Sequence, residues 1–293
     1  MFSSLLIPLD GSAQSAVSLP VARTVARATG GSITLLRVLP HYEDEPAHAE
    51  ARHALERIAT ELRADSLTVD TIVRVGEAAD EILEQQRVQG ADLIIMRTHG
   101  RAGLTRAVLG SVADPVMAGS PVPVIMLRAG GRRMNQLGSM LVPIDGSPGG
   151  ALALGTAIGL AQATHASLHL LEVVVPIPTY VYDTYGMDAT AFVDPAWDEE
   201  ARNSAQSYIE AIAARLKSSG FAVDGEVRVA ASVADTIADV ADERAADLIV
   251  MSTEGLTGAA RALLGSVANG VVRTARCPVL LLHREAPQDT AHP

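Results

Sequence analysis

Two short motifs of this 293-residue chain carry residue types suited to ligand binding, and each occurs twice. Asp10-Gly11-Ser12 follows Leu6-Ile7-Pro8-Leu9, and Asp145-Gly146-Ser147 follows Leu141-Val142-Pro143-Ile144, 135 residues further on. Gly110-Ser111-Val112 and Gly265-Ser266-Val267 make the second pair, 155 residues apart, with Gly100 and Gly255 each ten positions earlier. Glycine lets a backbone approach a ligand closely, and a Gly-Ser turn entering a helix aims its first N–H groups outward, where they can seat an anion. A carboxylate at a strand end can accept hydrogen bonds from a sugar or a base. Together these residues suit a nucleotide whose phosphates rest on the Gly-Ser turn and whose ribose or base reaches the aspartate.

Such groups must be held by a scaffold, and its outline is legible. Each half alternates short apolar runs with longer amphipathic stretches, the pattern of βα units around a parallel sheet. In the first half strands are predicted over 4–9, 32–39, 68–75, 92–96 and 122–127, with helices near 13–28, 47–64, 78–88 and 111–118. The second half repeats the strands at 140–144, 167–175, 223–229, 247–251 and 279–282. The expected fold is α/β: two tandem open five-stranded parallel sheets with helices on both faces and right-handed crossovers, Rossmann-like in plan. Ligands in such sheets lodge outside the carboxyl ends of the strands, near the switch in strand order, where Asp10, Asp145, Gly110 and Gly265 should meet. Ser12 and Ser111 stand at helix N-cap positions, and Gly30-Gly31 and Gly90 at helix stops.

The domains read as 1–128 and 139–284, joined by a Gly-rich polar linker over 129–138 and followed by a tail over 285–293. Between the second and third strands the offset of the repeat grows from 135 to 155, which places an insertion in the second half near 176–195. It holds Tyr180, Tyr182, Tyr185 and Phe192 in a chain that is only 3% aromatic. A loop of that length packs on its own domain or its neighbour, or closes over a site as a lid. Pro121, Pro123 and Pro278, near the starts of the last strands, suit an edge strand, since proline cannot donate to a ladder.

Composition narrows the function. The formal charge of −11 and a pI near 5.1 argue against a nucleic-acid partner, which would need a concentrated basic surface. One cysteine, Cys277, excludes an intrachain disulfide and suits a reducing compartment; it reads as a small buried residue. With no secretory leader pattern and no apolar run long enough to span a bilayer, the expectation is a cytoplasmic protein without a membrane partner. No nucleophile–base set recurs in both halves: His99 is matched by Glu254, so catalysis is not expected. His41, His48 and His53 lack a tight ligand spacing, so no metal site is expected, and His165 and His169 should not share a face.

With these residues in view the chain resembles a tandem universal stress protein across nearly its whole length. Pro8-Leu9-Asp10-Gly11-Ser12, Met96-Arg97-Thr98-His99-Gly100, Leu109-Gly110-Ser111-Val112-Ala113 and Pro121-Val122-Pro123-Val124 carry the likeness, with counterparts from Pro143 to Val279. ATP-binding members of that family carry Gly, two residues, Gly, nine residues, then Gly-Ser or Gly-Thr. Here the second and third glycines stand at Gly100 and Gly110 and at Gly255 and Gly265, but Arg97 and Ser252 replace the first. A side chain at a left-handed position costs on the order of 1 kcal/mol, and an arginine there can offset that by reaching a phosphate.

The resemblance implies that Pro8, Asp10, Val38, Met96, Arg97, Gly100, Gly110, Ser111 and Val112 line a first nucleotide site. Pro143, Asp145, Val173, Met251, Ser252, Gly255, Gly265, Ser266 and Val267 would line a second. It further implies ATP as the ligand, with or without Mg, and a regulatory stress-response role with little or no catalysis. It also implies pairing of the two domains through their last strands, and homodimers of the tandem chain. The alternative is a nucleotide-independent protein-interaction module of the same fold, with a partner protein not identified by the sequence.

Overall fold

The computed structural model describes residues 2–12, 15–41, 44–98, 110–128, 130–132, 134–176, 178–182, 189–193, 195–253 and 265–283, with backbone only for 178–182, 189–193 and 195–198. The expected positions Gly100 and Gly255, with His99, Glu254 and the tail over 285–293, lie outside the described residues.

A strand covered on both faces must be apolar on both, and Leu5, Leu6 and Ile7 of β1 (Ser4–Pro8) are all fully buried. After β1 come α1 (Ser18–Thr29), β2 (Ser32–Leu39), α2 (Glu45–Ala64), β3 (Val69–Val75), α3 (Ala78–Gln89), β4 (Leu93–Arg97), α4 (Ala113–Gly119) and β5 (Val124–Leu127). The second half contains β6 (Ser139–Pro143), α5 (Pro148–Thr164), β7 (Ser167–Val174), a hairpin of β8 (Pro178–Tyr182) and β9 (Ala189–Val193), then α6 (Pro195–Ser218) and β10 (Val223–Val229). It closes with α7 (Val233–Glu243), β11 (Leu248–Ser252), α8 (Ser266–Thr274) and β12 (Val279–Leu282).

Outside the β8–β9 hairpin, neighbouring strands within each half are parallel, in the orders β3-β2-β1-β4-β5 and β10-β7-β6-β11-β12. The halves then join: β5 and β12 pair antiparallel, with Ile125 opposite Leu280, giving one ten-stranded sheet. Pairing of the last strands, implied by resemblance, is therefore observed. Pro123 and Pro278 immediately precede these strands, so their missing N–H groups stay out of the ladder while their carbonyls accept from Ile94 and Ile249. One apolar core runs across both halves on the α1/α2/α5/α6 face, where Ile125 and Leu280 lie. A second fills the other face, where Met126 and Leu281 lie with residues of α3, α4, α7 and α8.

Several local expectations need correcting. Ser12 does not cap α1: its hydroxyl accepts from Ser15 N, closing a 3₁₀ turn over Ser15–Val17, and α1 begins only at Ser18. Ser111 is no N-cap either, because α4 starts at Ala113 without a side-chain cap. Ser147 does cap its helix, accepting from Gly150 N, and Gly30 and Gly90 end α1 and α3 in left-handed conformation. The described residues of the inserted segment include an antiparallel hairpin rather than loop alone. Within the linker, Met134 and Leu137 are buried, and Arg132 binds Asp242 and the carbonyl of Ala246. Polar composition concealed that anchoring. No helix among the described residues is long and apolar enough to cross a membrane.

Candidate functional site

Strand register brings the repeated residues together. Leu6 pairs with Ile94 and Pro8 with Leu36, so four residues past Leu6 the chain places Asp10 level with Thr98 on one side and Val38 on the other. Met140 opposite Leu248, and Pro143 opposite Leu171, place Asp145 likewise beside Thr253 and Val173. These are the carboxyl ends of the strands flanking the reversal in strand order.

Each aspartate folds its own turn. Asp10 Oδ1 accepts from Ser12 N at 2.9 Å and from its hydroxyl at 2.6 Å, and Asp145 Oδ1 accepts from Ser147 N at 3.0 Å. Gly11 and Gly146, both at φ +75°, supply the left-handed residue that such a bend requires. Across the gap, Gly110 N donates to the carbonyl of Thr98 at 2.7 Å, and Gly265 N to that of Thr253 at 3.0 Å. The threonines are themselves tied to the last strands through Leu127 and Leu282. A Cβ at Gly265 would lie 2.6 Å from the Thr253 carbonyl oxygen, so only glycine fits. Ser111 and Ser266 are exposed just beyond, at the entries to α4 and α8.

Met96 and Met251 are buried, while Val38 and Val173 are half-buried on the same face of the sheet. Sequence reasoning missed Thr98 and Thr253. The signal was their recurrence 155 residues apart between a motif methionine and a motif glycine.

The charges beside the two aspartates differ. Arg97 is only 8% exposed; burial lowers its pKa, and Asp10 opposes that shift. Arg37, on β2, donates to the carbonyl of Leu9 at 3.2 Å beneath the Gly11 turn. In the second half Ser252 replaces Arg97, and Glu172 replaces Arg37. Burial and the neighbouring Asp145 both raise the pKa of Glu172, whose Oε2 is buried without a hydrogen-bond partner among the described residues. The first site therefore pairs its carboxylate with the Arg97 cation, with Arg37 beneath the same turn, whereas the second sets two carboxylates side by side. Cys277 is buried, and loss of solvation pushes its thiol up to about 12, which leaves it unreactive.

A profile of the universal stress protein family matches residues 1–128 and 137–283. The chain belongs to that family. A universal stress protein of Thermus aquaticus is 32% identical over 138 residues, spanning all of that protein and 44% of this chain. One from Mycolicibacterium smegmatis is 24% identical over 298 residues and covers 95% of this chain and 96% of its own length. The crystal structure of a universal stress protein from Archaeoglobus fulgidus has the same fold, with a TM-score of 0.71, 20% identity and 96% of each chain covered.

Proposed function

We propose that this universal stress protein binds ATP at the carboxyl ends of its central strands, most tightly in the first half, and acts as a regulator through occupancy rather than turnover. The observation that carries the reading is the convergence of Asp10, Arg97 and the Thr98–Gly110 tether where the strand order reverses. Pro8, Val38 and Met96 offer apolar contacts for the base, with Asp10 for the base or ribose. Arg97 and the Gly110-Ser111-Val112 turn would hold the phosphates, with Gly100 as a further contact. A polyphosphate carries several negative charges, so a buried guanidinium favours it and a second carboxylate opposes it. Pro143, Asp145, Val173, Met251, Ser252, Gly255, Gly265, Ser266 and Val267 would form the weaker second site.

Equilibrium dialysis of the intact chain against ATP tests this. The expected result is one tight equivalent and a second filled only at much higher concentration. Retention of nucleotide by neither half at millimolar ATP would overturn it. The interaction-module reading draws support from the use of both aspartates in their own turns. It predicts that Asp10→Ala lowers stability with or without ATP and leaves no nucleotide effect to lose.

A further inference from the structure

We propose that a cluster of arginines at the junction of the two halves docks an acidic polypeptide segment. The chain leaving β5 runs beside the end of α8: Arg128 Nη1 donates to the carbonyl of Thr274 at 3.0 Å, and the backbone N–H of Arg132 donates to that of Arg276. These bonds bring Arg128 and Arg132 next to Arg273 and Arg276 of the second half. The four arginines divide into two roles. Arg128 and Arg132 are anchors, the latter also donating to the Ala246 carbonyl at 3.2 Å and to Asp242 of α7 at 2.9 Å. Arg273 and Arg276 are exposed. Arg273, in the last turn of α8, has no hydrogen bond or ion pair among the described residues, and Arg276 reaches the same Asp242 only at 4.0 Å. Asp247 is occupied by the N–H groups of Gly138 and Ser139. Four cations thus share one carboxylate, and the neighbouring Ala129 and Arg133 add none.

Holding the junction together does not require this charge. At the other end of the β5–β12 pair, which the repeat makes equivalent, Ala118, Pro121 and His283 stand in the places of Arg273, Arg276 and Arg128. A cation in the last turn of α8 offsets the helix dipole, which accounts for Arg273 alone. Guanidinium groups presented on a surface bind carboxylates strongly, often through two parallel hydrogen bonds. Clusters of them are a recurrent means of recognising acidic motifs. The chain as a whole carries a formal charge of −11, so an acidic segment is repelled elsewhere and attracted here. A nucleic-acid duplex would meet that repelling field over a much larger footprint, which favours the peptide.

Fluorescence anisotropy of a labelled oligoglutamate peptide, titrated with the intact chain at low salt, tests the proposal. Saturable binding is expected, and it should weaken by about tenfold or more between roughly 50 and 300 mM salt. Arg273→Glu combined with Arg276→Glu should weaken it by about tenfold or more. Neither side chain holds a close contact, and thermal melting checks that the variant folds. Arg52→Glu combined with Arg57→Glu makes the same change of net charge on the exposed side of α2 and should leave the affinity within about twofold. Absence of saturable binding, unchanged affinity in the Arg273/Arg276 reversal, or an equal loss from the α2 reversal would overturn the docking surface. Tighter binding of a labelled DNA duplex at this surface would overturn the assignment to an acidic polypeptide.

Discussion

The two halves of this molecule share strand order, register, the Asp-Gly turn and the Thr–Gly tether, yet they surround the shared turn with opposite charge. Arg97 and Arg37 accompany Asp10, whereas Ser252 and Glu172 accompany Asp145. Duplication preserved the parts that position a ligand and let the parts that choose it diverge. Backbone devices such as Gly265 tolerate no side chain, because a Cβ would meet a carbonyl oxygen at 2.6 Å. Side chains at the rim carry no such constraint, so they are where two copies of one site can come to differ.

The largest expected effect breaks that difference from the first half. Arg97→Ser gives Asp10 the neighbour that Asp145 has, and should weaken the tight ATP equivalent by roughly tenfold to a hundredfold, the range for losing a charge-assisted contact. Dialysis would then show two weak equivalents of similar affinity. An unchanged tight equivalent would mean that Arg97 does not face the phosphates. Glu172→Arg approaches from the other side: it should strengthen the weak equivalent by about tenfold and leave the tight one alone, and the same dialysis reads both.

Much of this comparison was legible in the sequence, for a physical reason. Strands buried on both faces must be apolar throughout, so β1, β2 and β4 announce themselves, and a repeat gives every such assignment a second reading. Recurrence alone, however, does not mark a binding residue. Asp92 and Asp247 recur as faithfully as Asp10 and Asp145, yet they sit at the amino ends of their strands. There they clamp the N–H groups of Ser3 and Ser4 and of Gly138 and Ser139. Only the register separates a clamp at one end of the sheet from a ligand-facing carboxylate at the other. What escaped the sequence were contacts between distant segments: the anchoring of the linker by Arg132, the bond from Arg37 to the Leu9 carbonyl, and the tie from Thr98 to Gly110. None of these has a local periodicity to betray it.

A third expectation concerns the outer strands, where the halves also differ. His169 on β7 is buried between Asp224 and Glu226 of β10, and Arg244 binds both carboxylates while Arg228 joins Glu226. The first half has Thr34, Asp70, Ile72 and Gln89 in the places of His169, Asp224, Glu226 and Arg244. Burial alone would raise the pKa of Glu226, but hydrogen bonds from Arg228, His169 and Arg244 prevail and hold it at about 2. A carboxyl held below its ordinary 4.5 stabilises the fold above that pH, and the contribution is lost as pH falls toward 2. Hydrogen exchange between pH 4.5 and 2 should therefore show β7 and β10 losing protection before β2 and β3. Glu226→Gln should lower protection at neutral pH and remove the pH dependence. Equal acid sensitivity of the two edges would contradict the assignment.

The smallest effect runs in the opposite sense. Burial and Asp145 hold the pKa of Glu172 above its ordinary value, so the folded second half binds this proton more tightly than the unfolded chain does. Linkage then makes ionised Glu172 a burden: its cost is absent at low pH and grows as pH rises from the unfolded pKa through the folded one. Glu172→Gln keeps the shape and removes the charge, so at pH 7 it should raise the melting temperature by about 2 °C, and the gain should vanish in acid. Arg37→Gln, at the matching position of the first half, removes a cation that binds the Leu9 carbonyl beneath the Gly11 turn and should give no such gain. Melting curves of the two variants at pH 7 and pH 4 decide it. A stabilised Arg37→Gln, or a Glu172→Gln gain that survives in acid, would show that the charge beside the aspartate does not distinguish the two sites.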